Sequence, residues 1–566
     1  MTRGVLFSVA LLVLVLALVL VLALGSCGRT GTHRGKSGGT AVTGPVLGGT
    51  LRIPIPEDPA SLNPLVGKAP GRLDLWRCFY PTLLVCEPRG AELPLVRGDL
   101  ARRWEWSNQS HSMLVILRSD RFWQDTSLVR PSDVLRTYEA YKKLGRIPAR
   151  ADRDSLPDLG LIAVEGVDDS TVRFRYASDL TSWRALSALT WPILPARKLG
   201  TLAPELLGAG ALSHEPLSAG PFRLEEWRPG LNLWLGPNPV APPVRTPRLQ
   251  RVALDICPGA DSRILRITMG LADVALDVPV YRLSSLLEPT VPLRTHRSGC
   301  ASVEMIAWNL RLSSWPLDLR RAVGNEIDRD RLVETLLSRQ GERFGGPAWG
   351  LLEPTGPPAG DSLDTAAPRP LLDRPAADSL LDAMGWTDRD AEGVRTRGGR
   401  SLRIELLYDR ADELRERTVT CLEEDLGKVG IRLDPVPLPG DLVRLRMRSG
   451  LFTTALVGYR PPILPDLSGL WASSGAGNVF GYTSVITDSL ITRQRRSESL
   501  EEIASLGRAI EAQVRRDQPA TLLYYREGVD LLSPRARDWS GTPWNPLGAL
   551  EKTWVADTTE AGAVSR

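Results

Sequence analysis

An α/β chain of more than one domain is what this sequence predicts, and three observations carry the prediction. Strand-like stretches with alternating apolar residues recur along the chain, and amphipathic helical stretches stand between them. The chain has 566 residues, too many for one hydrophobic core even without its first 26, so two or three domains are expected. Proline-rich connections at 237–247 and 353–370 read as long surface segments between elements.

The N-terminal stretch is the first element. Arg3 is followed by an apolar run from Val5 to Leu24, and the run ends in Leu24-Gly25-Ser26-Cys27. A basic start, an apolar core and small residues before a break are the marks of an export signal over 1–26. Cysteine directly after two small residues resembles the bacterial lipobox, where the thiol receives a diacylglyceryl group and the chain is cut just before it. Twenty apolar residues are also long enough to span a bilayer uncleaved. In both readings Arg3 stays on the cytoplasmic side and the bulk of the chain lies outside, at a periplasm or cell surface. Residues 27–47 are rich in Gly, Thr and Ser and read as a flexible tether. The tether contains Gly35-Lys36-Ser37-Gly38-Gly39, which fits a nucleophile elbow and the end of a P-loop in letters only. Neither motif follows a strand or opens a helix, so neither carries function.

From Gly48 the pattern is that of a folded body. Leu51 and Ile53 alternate with polar neighbours as a first strand. Further strands are predicted at 113–117, 171–176, 231–235, 251–256 and 402–407. Asp318 is placed to cap a helix bearing Leu319, Val323 and Ile327, and Asp328 to cap the next, with Leu332, Val333, Leu336 and Leu337 on one face. Leu414, Cys421, Leu422 and Leu426 form another apolar face that stops at Gly430, followed by a strand at 431–433. Leu500, Ile503, Gly507, Ile510 and Val514 form a last helix.

Composition excludes several functions. A net charge of +4 is near balance and shows no nucleic-acid footprint. Besides Cys27 the chain has Cys78, Cys86, Cys257, Cys300 and Cys421, an odd number at wide spacing that is no disulfide framework. A Cys78–Cys86 bridge and buried thiols both stay open. The four histidines are scattered, with no metal-ligand spacing and no Ser-His-Asp constellation. No cofactor, no metal and no catalytic residue is expected.

A series of short motifs follows in order. Gly48-Gly49-Thr50-Leu51 precedes Ser61-Leu62-Asn63-Pro64. Asp99-Leu100-Ala101 precedes Trp104-Glu105-Trp106. Leu117-Arg118, Phe122, Asp125 and Pro131-Ser132-Asp133-Val134 come next, then Gly220-Pro221-Phe222 with Trp227 and Asn238-Pro239. Gly270-Leu271-Ala272-Asp273-Val274-Ala275, Asn309, Asp318-Leu319-Arg320-Arg321-Ala322, Met384-Gly385-Trp386 and Asp517-Gln518-Pro519-Ala520 complete the run. Taken together over about 48–550, these resemble the extracytoplasmic solute-binding proteins of ABC transporters, family 5, which take peptides, nickel complexes and related solutes. Thr126 stands where that family's pattern has a glycine.

The resemblance implies a two-lobed periplasmic-binding-protein fold (type II, cluster C) with an extra subdomain inserted in lobe one. Lobe one would take 48–75, 195–300 and 525–566, the inserted subdomain 76–194, and lobe two 301–524. Two crossing strands would join the lobes, and the ligand would sit between them. The implied partners are a small solute, the permease and ATPase subunits of an ABC transporter, and a membrane reached through the lipid on Cys27. The chain is expected to act as a monomer.

A cleft for small solutes needs aromatic walls and a few fixed polar groups. Of 16 tryptophans, Trp104, Trp227 and Trp386 fall on core positions of the family pattern, leaving Trp308, beside Asn309, and Trp471 as cleft candidates. In peptide-binding members the stretch matching 457–466 carries an aspartate three places after an aromatic, which pairs with the peptide's amino terminus. Here the aromatic is Tyr459 and that place is Pro462, which has no charge. Arg460 sets a cation there instead and favours a carboxylate or other anion. Asp466 offers a carboxylate from a shifted position, and Tyr525 falls near the strand that re-enters lobe one. The expected function is capture of a peptide-like or anionic organic solute for import. A sensor or scaffold lipoprotein that keeps the fold without transport is the alternative.

Overall fold

The alternation in Leu51 and Ile53 becomes the strand Thr50–Ile55, with both side chains fully buried. The computed structural model describes residues 47–65, 73, 75–89, 92–143, 160–177, 180–200, 211–285, 292–339, 341–348, 350–351 and 372–556. The expected export signal, Cys27 and all but the last residue of the tether lie outside the described residues, as does the whole proline-rich stretch 353–370. Among the described residues no helix is long and apolar enough to cross a membrane.

Lobe one holds two four-stranded sheets. In the first, Thr50–Ile55 runs parallel to Arg251–Ile256, which pairs antiparallel with Asn232–Pro237, and Phe222–Arg228 takes the edge. In the second, the antiparallel order is Ala101–Ser107, Ser112–Leu117, Thr171–Tyr176, Leu161–Gly166. One hydrophobic core spans both, from Leu51 and Ile53 to Val115 and Phe174. Trp104 and Trp227 are half-buried and pack against it. Cys78 and Cys86 are not joined in a disulfide, and burial pushes the Cys78 thiol up to about 12.

Lobe two is a sheet between two helical layers. Its strands lie in the order Ala520–Leu532, Arg294–Trp308, Thr454–Tyr459, Arg403–Asp409, Arg432–Leu438. Side chains of one strand alternate between the layers. Ile306 and Trp308 join the core beneath the helices Leu317–Glu326, Arg329–Leu337 and Glu413–Lys428, whereas Met305 and Ala307 join the opposite core. A strand buried on both faces reads as a continuous apolar run. Asp328 caps its helix by accepting the Arg331 amide, as the sequence suggests. Asp318 does not cap: the N-cap is Pro316, and Asp318 sits inside the first turn. Leu500 is also misplaced by the apolar pattern, because it opens the helix Leu500–Asp517 and is exposed, while Ile503, Ile510 and Val514 are buried.

Two long strands, Arg294–Trp308 and Ala520–Leu532, run antiparallel through both lobes. Their pairing slips three times, between Arg297/Gly299, Cys300/Ser302 and Glu304/Met305. Such irregularities bend and twist a strand locally. Gly299, at φ +96, pairs with Gly528, where an added Cβ would meet the Ser298 hydroxyl. Beside these slips lies a buried ion pair. Glu304 is bound by Arg415 at 3.1 Å and by the Ser302 hydroxyl at 2.9 Å. Burial alone would raise the Glu304 carboxyl, but Arg415, with Ser302 and the charge of Arg526, holds it below the ordinary glutamate value.

Thr126 has φ +71 in the turn where Trp123 accepts its amide. A β-branched residue there is strained by about 1–2 kcal/mol, and glycine gives back about 0.5–1 kcal/mol in chain entropy. Thr126→Gly should therefore raise stability by about 0.5–1 kcal/mol in a denaturant titration; a loss of stability would show that the threonine is relaxed. For Glu304→Gln, which leaves Arg415 short of its main partner, a loss of roughly 2–4 kcal/mol is expected at pH 7. Because the folded carboxyl sits below its unfolded value of about 4.3, its contribution is complete above that value. It disappears as pH falls through the lower folded value, so wild type and variant should converge in acid. A gap unchanged down to acid pH would contradict this account.

Candidate functional site

The crossing strands bring together residues that lie far apart in sequence. A cavity of about 250 Å³ opens beside them. Ser298 and Ala301 of one strand and Gly528 and Asp530 of the other form one wall. Lobe one adds Pro54 of its first strand and Pro56 just after it, Arg263 from the helix Ala260–Thr268, Asp277, and Thr542, Pro543 and Pro546 from the C-terminal segment. Lobe two adds Arg460, which directly follows the strand Thr454–Tyr459.

The charged groups of this cavity are held in place by the fold. Asp277 adopts a left-handed backbone at φ +44, which Asp tolerates better than most residues. Its amide donates to Asp530 at 3.0 Å, and its carboxylate takes both guanidinium nitrogens of Arg526, at 2.8 and 3.2 Å. Bidentate pairs of this kind fix geometry as well as charge. Asp530 is buried and also accepts the Trp539 indole N–H at 2.9 Å. Burial raises its carboxyl above the ordinary value, against the pull of these two donors. Arg263 donates from one Nη to the carbonyls of Cys257 and Pro258, at 3.1 and 3.0 Å. These neutral acceptors aim the guanidinium and leave its charge intact.

The lobes also meet in a second place. Between Thr181 and Arg184, at the start of a short helical turn, the chain touches lobe two residue by residue. Thr181 donates to the Arg495 carbonyl at 3.1 Å, the Ser182 amide to Glu498 at 2.9 Å, and the Trp183 indole to the Ser497 carbonyl at 3.1 Å. Arg184 faces Asp466 at 3.7 Å with both side chains buried. Trp183 packs with Leu464 and Ile503 in a small apolar cluster. Trp544 adds an N–H to the Pro461 carbonyl at 3.3 Å.

The residues singled out from the sequence separate into three groups. Arg460 lines the cavity. Tyr459 and Tyr525 are half-buried beside it against Cys300, Val303 and Ala348, and the Tyr525 ring lies over Gly346. The other four are turned to other work. Trp308 is fully buried in the lobe-two core, donating to Thr521 at 3.0 Å and packing on Trp315. Asn309 is equally buried and spends its amide on the carbonyls of Gly450 and Phe452, at 3.1 and 2.7 Å. Trp471 stacks on Phe480 at 5.3 Å inside the opposite core. Asp466 turns away from the cavity to Arg184 and accepts the Ser468 amide at 2.9 Å. None of these four is on the lining of this cavity; their side chains serve core packing, backbone bracing and lobe contact. Sequence reasoning missed Arg263, Asp277, Ser298 and Asp530, which come from three separate stretches and share no motif.

Comparisons with known proteins agree with this architecture. Residues 96–481 match the family described as bacterial extracellular solute-binding proteins, family 5 (middle). A probable D,D-dipeptide-binding periplasmic protein of Escherichia coli, DdpA, is 28% identical over 44% of this chain, and the match spans about half (48%) of that relative's own length. Protein XP55 of Streptomyces lividans is 24% identical over 91% of this chain and 89% of its own. The solved structure of the oligopeptide-binding protein AppA of Bacillus subtilis, in complex with a nonapeptide, superposes with a TM-score of 0.73 at 20% identity, over 91% of this chain and all of that one. With the two-lobed α/β fold, the paired crossing strands and a match over more than half its length, this chain belongs to the bacterial extracellular solute-binding proteins of family 5.

Proposed function

We propose that the protein is an extracytoplasmic receptor that captures a small organic solute between its lobes and hands it to an ABC permease. The observation that carries this reading is the cavity at the crossing strands, lined from both lobes and furnished with fixed charges. Its volume lies just under the usual range of about 300–1,000 Å³ for ligand pockets, which suits a small peptide-like solute better than a long peptide. A sensor or scaffold that had lost its solute would need no such charged cavity. On this reading no bond is made or broken: binding shifts the lobes toward the closed arrangement, and the closed surface is what a permease recognises. Lipid on Cys27 would hold the receptor at the membrane. A flexible tether would then keep its local concentration near the transporter high.

Native mass spectrometry of the full-length protein, purified without denaturant, should show a co-purifying small solute. A solute at about 100 times its Kd should add about 2.7 kcal/mol of stability. Absence of both a co-purifying mass and any stabilisation by dipeptides, amino-acid derivatives, sugars or nickel chelates would remove the receptor reading. The contact between lobes gives a second test. Trp183→Ala deletes one hydrogen bond and the apolar contact with Leu464 and Ile503. Solution scattering should then show a more open protein, and solute affinity should fall about tenfold or more. Unchanged affinity would mean that this contact plays no part in closing.

A further inference from the structure

We infer that Trp544 is the gate residue of the cavity: its indole, held across to lobe two by one hydrogen bond, sets how fast a solute passes in or out. This rests on the receptor reading above and adds to it a residue that governs exchange. The turn from Thr542 to Asn545 carries the argument. Thr542, Pro543 and Pro546 are on the cavity's lining from lobe one, and Arg460 is on it from lobe two. Trp544 directly follows Pro543, Pro461 directly follows Arg460, and the indole N–H donates to the Pro461 carbonyl at 3.3 Å. This bond therefore joins the two linings at the edge of the cavity.

The backbone of this turn is fixed to lobe one on both sides. Before it, the Trp539 indole donates to Asp530 at 2.9 Å, and Nε2 of His296 donates to the Gly541 carbonyl at 2.9 Å, so both crossing strands hold it. Across it, Thr542 and Asn545 exchange backbone hydrogen bonds at 3.3 and 3.1 Å, and the Thr542 hydroxyl also accepts the Asn545 amide at 3.2 Å. After it, Leu547, Ala549 and Leu550 are buried in the lobe-one core. Pro543 stiffens the turn further, because its ring fixes φ. What is left to move is the Trp544 side chain, which is half-buried and has a single hydrogen-bond donor. Its bond at 3.3 Å is longer than the usual range of about 2.7–3.2 Å. Side chains rotate far faster than lobes move, so a ring held this lightly can swing away and return while the lobes stay together.

The test needs no solute. Ser298 is on the cavity's lining, and Ser298→Cys places a thiol there with little change in shape. Full-length protein with this substitution is treated with N-ethylmaleimide, and labelling at position 298 is followed by mass spectrometry beside that of the buried Cys421. Adding Trp544→Phe, which removes the N–H donor, should speed labelling at 298 about fivefold, the factor that one net hydrogen bond supplies. Trp544→Ala, which removes the ring as well, should be at least as fast, and solution scattering of both variants should match the parent. Unchanged labelling in the two variants would overturn the gate. So would a rise shared by Cys421, which reports a loosened fold, or a rise with opening in scattering, which makes Trp544 an ordinary tie between lobes. A rise with Trp544→Ala alone would overturn the part given to the indole N–H. Because no solute enters the measurement, a negative result removes the gate and leaves the receptor reading standing. The receptor reading falls only to the solute experiments above.

Discussion

The antiparallel pairing of Arg294–Trp308 with Ala520–Leu532 is the constraint on which the rest of this structure depends. One half of each strand completes the lobe-two sheet, and the far end of Ala520–Leu532 also pairs with Val274–Ala275 of lobe one. Continuous backbone hydrogen bonding keeps the lobes from separating. The three slips in register give the same ribbon places to bend. Gly299 and Gly528, facing each other without side chains, mark the thinnest point of the joint.

Charges gather at this joint because the backbone leaves polar groups there that neither core can absorb. Glu304 and Arg415 face lobe two, Asp277 and Arg526 face lobe one, and Arg282 spans from the region of Asp261 to Glu413. Each carboxylate in the group is matched to a specific guanidinium, as buried or half-buried charges require. Of the two acids on the cavity's lining, Asp277 is matched to Arg526, whereas Asp530 is held by an amide and an indole N–H.

Much of the fold was legible in the sequence because it obeys simple periodicity. Leu51 and Ile53 alternate, Asp328 caps, and Gly430 ends a helix at φ +80. The crossing strand Arg294–Trp308 was not legible from its pattern, since burial on both faces from Cys300 to Trp308 erases alternation. The cleft was legible only at Arg460. Trp308 and Trp471 satisfied the general rule that aromatic residues line pockets, yet large aromatics serve cores at least as well, and here both lie within lobe-two cores. Arg263, Asp277 and Asp530 become neighbours only through the parallel pairing of the first strand with Arg251–Ile256 and the return of the C-terminal strand. No local signal encodes that proximity. Thr126 is the converse case: the family's glycine is absent, but the left-handed backbone it would serve has been kept.

On the proposed reading, the energetic scale of the lobe contact is one that a small solute can control. Besides the crossing strands, the lobes are tied by hydrogen bonds from Thr181, Ser182, Trp183 and Trp544, one apolar cluster, and the Arg184–Asp466 and Arg282–Glu413 pairs. Each such hydrogen bond contributes about 0.5–1.5 kcal/mol net, and ordering the side chains offsets part of that. On the proposed reading a contact of this modest size lets a ligand that prefers the closed arrangement by a few kcal/mol move the population decisively. A stronger contact would close the protein without cargo, and a weaker one would leave binding unreported to any partner. On the proposed reading the hinge supplies the freedom, the lobe contact a modest bias, and the bound solute decides between the two states.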